Sequence, residues 1–207
     1  MAKDLVFYTN PNSRGRMVRW MLEEVGAPYE TKVIDYGPSM KSAEYLAINP
    51  MGKVPALTHG AAVVTECAAI IAYLADAFPD AGLAPAPADR AAYYRWLFFV
   101  AGPLEAAWVN KSMGFELPEG KGAMAGYGSF DAVIDTLEKA VSTDAYIAGD
   151  RFTAADVYAG AQIGFGFKFG GWPEKPALKA YFEKVSAREA YKKAEQLDDG
   201  LAQAPAR

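Results

Sequence analysis

Cysteine and histidine are nearly absent from this chain: its 207 residues include one of each, Cys67 and His59. A lone cysteine can neither close an intramolecular disulfide nor build a thiolate cluster. A lone histidine leaves the common His-rich sites without ligands, so no metal is expected. The same scarcity removes Ser-His-Asp and Cys-His catalysis unless His59 is the base, and His59-Gly60 reads as a hairpin turn. Basic runs are also missing. Lys and Arg number 21 against 25 Asp and Glu, for a net charge of -4, and no cation cluster could follow a nucleic-acid backbone. No apolar stretch approaches the roughly 20 residues of a membrane helix, and the opening MAKDLVFYTNPN lacks the basic, apolar, small-residue order of a signal peptide. A cytoplasmic protein with no nucleic-acid or membrane partner is expected.

The composition is 52% apolar and 22% charged, the balance of a chain with a substantial core. Its length permits one large domain or two small ones. Residues 4–8 are apolar and rich in β-formers, and the Asn-Pro-Asn-Ser that follows is a turn leading into a helix. Met17, Val18, Met21, Leu22 and Val25 repeat at helical spacing, and Gly26 closes that helix. Residues 29–34 read as a second strand, parallel to the first, so the chain opens with a βαβ unit. A short helix should run to about Ile48 and stop at Asn49-Pro50. Val54 to Thr58 and Ala61 to Val64 make a hairpin, and Thr65-Glu66 opens a helix with Ile70, Ile71, Leu74 and Phe78 on its apolar face.

Residues 79–87 are a Pro- and Ala-rich connector, which sets the expected division at 1–78, a linker at 79–87, and 88–207. Beyond it the pattern is helical: one long aromatic helix over 89–113, another over 129–141, and a third opened at Thr153 by a capping box with Asp156. Leu178, Tyr181, Phe182 and Val185 mark a further amphipathic helix; a last one spans 187–196, with a frayed tail from Asp198 onward. The glycines and phenylalanines of 164–172 have no evident purpose in the sequence.

A β-α-β-α-β-β-α unit followed by an all-helical half resembles the soluble glutathione S-transferases along essentially the whole chain. Three segments carry the likeness: Asn49-Pro50-Met51-Gly52-Lys53-Val54-Pro55-Ala56-Leu57, Thr65-Glu66-Cys67-Ala68-Ala69-Ile70, and Phe152-Thr153-Ala154-Ala155-Asp156. The resemblance implies a thioredoxin-like domain that binds glutathione, an all-helical bundle domain that supplies the site for a small hydrophobic electrophile, and a homodimer. Cys67 departs from the family pattern, which has serine after the glutamate. A weak thiol donor there replaces a hydroxyl, lowering the expected affinity for glutathione.

Glutathione offers an α-amino acid end, a thiol and a glycine carboxylate. In the family pattern the Val54–Pro55 bond is cis and turns the Val54 backbone toward the cysteinyl backbone of the tripeptide, a form of strand addition. Glu66 can accept from the α-ammonium, and the N–H groups of Glu66 and Cys67 at a helix start suit the α-carboxylate. Lys53 or Lys41 can neutralise the glycine carboxylate. Activation needs the thiol, with an ordinary pKa of about 8.5, lowered by about two units, or roughly 2.7 kcal/mol. One hydroxyl donor and a helix N-terminus can supply that. Ser13, in the turn after the first strand, is the leading donor by resemblance to serine- and cysteine-type members, with Tyr8 and Asn12 as alternatives and Arg14 and Arg16 adding positive potential. On the helical half, Trp108 and Phe115 are the expected walls of the electrophile pocket. Two other functions stay open at this point: a non-catalytic glutathione- or ligand-binding relative, and a glutathione-dependent peroxidase or thiol transferase on the same scaffold.

Overall fold

The structure, a computed structural model, describes residues 4–203. The chain divides into two compact units, Met1–Leu83 with Ala187–Arg207, and Ala84–Ser186.

In the first unit, β1 (Leu5–Thr9), β2 (Glu30–Val33), β3 (Ala56–His59) and β4 (Ala62–Thr65) form one sheet in the order β2-β1-β3-β4. β1 and β2 are parallel, as the intervening helix α1 (Gly15–Val25) requires, and the other pairs are antiparallel. The period-2 alternation of β1 sorts its side chains. Tyr8 meets Ala56 and Tyr45 of the short helix α2 (Ala43–Leu46) on one face, while Phe7, on the other, lies under the Arg19 guanidinium of α1 at 5.0 Å. α1 buries Met17, Val18, Met21 and Leu22 and ends at Gly26 (φ 68), whose N–H caps the Leu22 carbonyl. α3 (Cys67–Ala77) buries Ile70, Ile71 and Leu74. His59 is structural: Nδ1 lies 3.0 Å from the Tyr73 hydroxyl and the ring stacks on Phe78.

The last helix, labelled α9 (Glu189–Gln203), lies along α1 and corrects the sequence expectation of a helix ending near 196 with a frayed tail. Asp198 is completely buried and paired with Arg19 at 3.0 Å. Arg188 grips Glu24 at 2.6 and 2.7 Å, Lys193 meets Glu23 at 2.6 Å, and Tyr191 packs edge-on against Trp20. Every one of these partners lies far away in sequence, so no local pattern announces them. Positions 204–207 of the expected tail lie outside the described residues.

In the second unit the aromatic stretch 89–113 is not one helix. α4 (Ala91–Phe99) and α5 (Glu105–Ser112) are joined by a π-helical turn, Val100–Leu104, that contains Pro103. Proline has no N–H for the fourth-residue carbonyl and its ring crowds that position, which a widened turn absorbs. α6 (Phe130–Thr143) starts at Ser129, whose hydroxyl accepts from the Ala132 N–H. α7 (Ala154–Phe169) starts at the Thr153–Asp156 capping box and runs through the glycine-rich stretch. Those glycines are seats for rings. A Cβ on Gly164 would lie 2.5 Å from the Phe182 ring of α8 (Pro176–Ser186), and one on Gly166 would lie 2.3 Å from the Trp172 indole. Among the described residues the only ladder contact beyond β4 is an isolated Tyr146–Gly149 bridge.

Candidate functional site

One end of the sheet gathers most of the residues singled out from the sequence. Tyr8 pairs with Ala56, and Ala56 with Thr65, so the turn after β1, the Lys53-Val54-Pro55 segment before β3 and Glu66 after β4 leave the sheet at the same end. The Cys67 thiol lies 3.8 Å from the Arg14 carbonyl and ties the first of these to the last.

The turn from Asn10 to Ser13 is held by its own polar groups. Asn10, buried, donates through Nδ2 to the Ile34 carbonyl, and its Oδ1 accepts from the Asn12 N–H. The Asn10 carbonyl accepts both the Ser13 N–H at 3.0 Å and the Ser13 hydroxyl at 2.7 Å. Ser13 Oγ in turn accepts from the Gly15 N–H at 2.9 Å. To donate to an approaching sulfur the hydroxyl must release the Asn10 carbonyl, and that carbonyl then keeps the Ser13 N–H, so the switch strands no buried acceptor. Gly15 is required here by space: an added Cβ would lie 2.0 Å from Thr9 Oγ1.

The rival donors are placed differently. The Tyr8 ring is buried against Tyr45 and Ala56, with Lys32 Nζ 5.7 Å above it. Asn12 is exposed, and its carbonyl accepts from the Tyr36 hydroxyl at 3.1 Å. Arg14 is half-buried beside the Cys67 contact, whereas Arg16 reaches back to the Pro11 carbonyl at 2.6 Å and out to Asp199 at 2.7 Å.

The segment before β3 is shaped by Asn49, read from the sequence only as a helix stop and the head of a motif, and by Tyr45, which the sequence reading did not single out. Asn49 Nδ2 and the Tyr45 hydroxyl both donate to the Lys53 carbonyl, at 2.8 and 2.5 Å, and Asn49 Oδ1 accepts from the Met51 N–H. Burial, with the neighbouring Tyr8 adding to it, pushes the Tyr45 phenol up to about 12, so it remains a donor. An Asn two residues before a turn N–H is a recognisable Asx signal that could have identified Asn49. Gly52, at φ 57, is a left-handed turn position packed against Lys41, whose ammonium donates to the Met51 carbonyl at 2.9 Å. Lys53 itself is exposed, with no ion pair among the described residues. The Val54–Pro55 peptide is cis. β3 is an interior strand, so it is not an open edge that presents Val54 but its place ahead of the first paired residue, Ala56.

Glu66 has φ 69, the one positive value among described non-glycine residues. Such a backbone costs of order 1–3 kcal/mol and persists where the surroundings impose it, commonly at functional sites. Its exposed carboxylate has no hydrogen bond or ion pair among the described residues. The first N–H groups of α3, from Cys67 onward, have no acceptor within the helix, which suits a bound anion.

In the second unit Trp108 is buried edge-on to Phe165 at 5.7 Å, and Phe115 is 63% exposed. Phe115, with Lys111, Leu117, Tyr127 and Phe130, lines a cavity of about 320 Å³; Trp108 is not among its walls.

Residues 13–77 match the family model described as glutathione S-transferase, N-terminal domain, and residues 119–189 match glutathione S-transferase, C-terminal domain. Glutathione S-transferase F10 of Arabidopsis thaliana is 30% identical over 190 residues, covering 83% of this chain and 86% of that protein. Glutathione S-transferase 3 of Zea mays is 28% identical over 190 residues, covering 85% and 86%. Among solved structures, a glutathione transferase from Methylococcus capsulatus superposes with a TM-score of 0.78 at 28% identity, over 95% of this chain and 99% of that one. A sphingomonad glutathione S-transferase complexed with glutathione gives 0.75 at 28% identity, over 94% and 98%.

Proposed function

The chain belongs to the glutathione S-transferase family, and from that premise we propose that it activates the glutathione thiol with the Ser13 hydroxyl for transfer to a small hydrophobic electrophile. It is a glutathione transferase, with glutathione as co-substrate, and a non-catalytic binding role is not favoured.

The observation that carries the assignment of Ser13 is its place: a buried hydroxyl at the start of α1, with its proton on an acceptor that can spare it, at the sheet end shared with Glu66 and Val54. Tyr8 is the rival donor, its ring packed against Tyr45 and Ala56. The proposed recognition runs along that end. The Val54 backbone pairs with the cysteinyl unit. Glu66 takes the α-ammonium, and the N–H groups at the start of α3, including that of Cys67, take the α-carboxylate. Lys53, on the loop that the Lys41 ammonium reaches at the Met51 carbonyl, takes the glycine carboxylate. Phe115, which lines the cavity of the second unit, is proposed to contact the electrophile, and the buried Trp108 is not. A homodimer is proposed, with action in the cytoplasm, where glutathione is kept reduced; no helix of the described residues is long and apolar enough to cross a membrane.

The test is the ultraviolet thiolate absorbance of bound glutathione, titrated in wild type and Ser13→Ala after calorimetry has established binding to both. A bound thiol pKa about two units below the free value of about 8.5, returning toward it in the variant, is expected. An unchanged depressed value in Ser13→Ala rejects Ser13 and moves the role to Tyr8 or Asn12.

A further inference from the structure

We propose that Arg16 is a positioning residue that fastens the Ser13 turn to α9, making the C-terminal helix part of the apparatus that activates the glutathione sulfur. The inference rests on Ser13 being the sulfur donor.

Arg16 lies three residues beyond Ser13, in the first turn of α1, and its side chain is 13% exposed. Its guanidinium works as a clamp with two jaws. Nε donates to the Pro11 carbonyl at 2.6 Å, inside the turn, while the terminal nitrogens meet Asp199 at 2.7 Å and Glu195 at 3.3 Å on α9. Pro11 sits between Asn10, whose carbonyl holds the Ser13 hydroxyl, and Asn12. The planar fork fixes the directions of its hydrogen bonds to the Pro11 carbonyl and Asp199, with Glu195 in ion-pair range, whereas an ammonium is a point charge on a single stem that sets no such spread.

Charge is the competing explanation, because a guanidinium near a thiolate lowers its pKa directly. The surroundings of Arg16 argue against it. Arg16 and Arg19 face Asp198, Asp199 and Glu195, two cations against three carboxylates, so the cluster as a whole has no excess of positive charge. What remains for Arg16 is geometry.

The two roles predict opposite signs in one variant. Glu195→Gln/Asp199→Asn removes both carboxylates and leaves Arg16 charged. If Arg16 acts by charge, the bound thiol pKa falls; if it acts by position, the loosened turn lets it rise, with kcat down about threefold and KM nearly unchanged. Arg16→Met is expected to lower kcat about tenfold and to raise the bound thiol pKa, and Arg16→Lys should not restore either. Arg188→Met breaks the same α1–α9 seam away from the turn, at Glu24, and should lower the thermal midpoint without moving the thiol pKa. A fall in thiol pKa in the double variant, wild-type values there, or full function in Arg16→Lys overturns the proposal. Should Arg16→Met not fold, the double variant decides alone. Ser13→Ala, measured in parallel, separates the two failures: no effect there removes the premise, whereas an effect there with none at Glu195 and Asp199 removes only the link to α9.

Discussion

Asp156 in the second unit and Asp198 in the first are both fully buried carboxylates, held in opposite ways. Asp156 accepts from the Ile147 and Thr153 N–H groups at 2.8 Å each, from the Thr153 hydroxyl at 3.0 Å and from the Tyr181 hydroxyl at 2.6 Å. Each donor is neutral, and all but one come from within nine residues. Asp198 depends on Arg19, which reaches a single oxygen from 179 residues away, and its Oδ2 has no hydrogen-bond partner among the described residues. One carboxylate is the hub of a local network and the other is one half of a long-range ion pair. A hub serves its donors, so it cannot be replaced by an apolar group, whereas an ion pair can be replaced as a pair.

Asp156→Ala is therefore the most damaging change expected. It strands two backbone N–H groups and the Tyr181 hydroxyl in a dry interior, at about 4 kcal/mol in total, to be read from the denaturant midpoint. A companion Tyr181→Phe should recover little, because the backbone donors stay unpaired. Arg19→Met should cost about 3 kcal/mol near neutral pH by taking from the buried Asp198 its hydrogen-bonding cation and leaving it only the Coulombic pull of Arg16, and Arg19→Met/Asp198→Leu should recover most of it. Recovery in the first unit without recovery in the second is the contrast to look for, and equal recovery in both would erase it. The pH dependence sharpens it. Burial holds the Asp198 carboxyl above its ordinary 3.8, with Arg19 pulling it down. An acid whose folded pKa is raised contributes stability that is present below 3.8 and lost as pH rises through the raised value. Removing Arg19 raises it further, so the deficit of Arg19→Met should widen as pH rises from the ordinary carboxylate range toward neutrality.

Legibility in the sequence follows the same divide. The capping box at Thr153 and Asp156 and the loop from Asn49 to Pro55 were readable because their partners lie within a few residues, and the β-α-β opening because its apolar periodicity is continuous along the chain. The α1–α9 seam was not. Asp198 read as part of a frayed tail because the surface that buries it is built by α1, near the opposite end of the chain. The π turn is an intermediate case: Pro103 was there to be read, but the aromatic periodicity on both sides of it masked the break. At the candidate site the residue types of Ser13, Glu66 and Lys53 are what suggest the chemistry proposed for them. The second role of Arg16 did not show, since it depends on two acids of α9 that no spacing rule brings near.

The smallest expected effect separates the units at their glycines, where two substitutions of the same kind should have opposite signs. Gly166 in α7 and Gly200 in α9 are both helical, and alanine is the better helix former by about 1 kcal/mol. Propensity alone would make both substitutions stabilising. At Gly200 nothing lies within 4 Å of an added Cβ, so Gly200→Ala should gain up to about 1 kcal/mol. At Gly166 the Cβ would meet the Trp172 indole at 2.3 Å, a large ring wedged against the helix backbone rather than the far end of a flexible chain. Overpacking of that kind costs about 1–3 kcal/mol, more than the propensity returns, so Gly166→Ala should lower the denaturant midpoint. A gain at both positions would mean that Trp172 can move aside at little cost, and the glycines of α7 would then lose their role as seats for its aromatic neighbours.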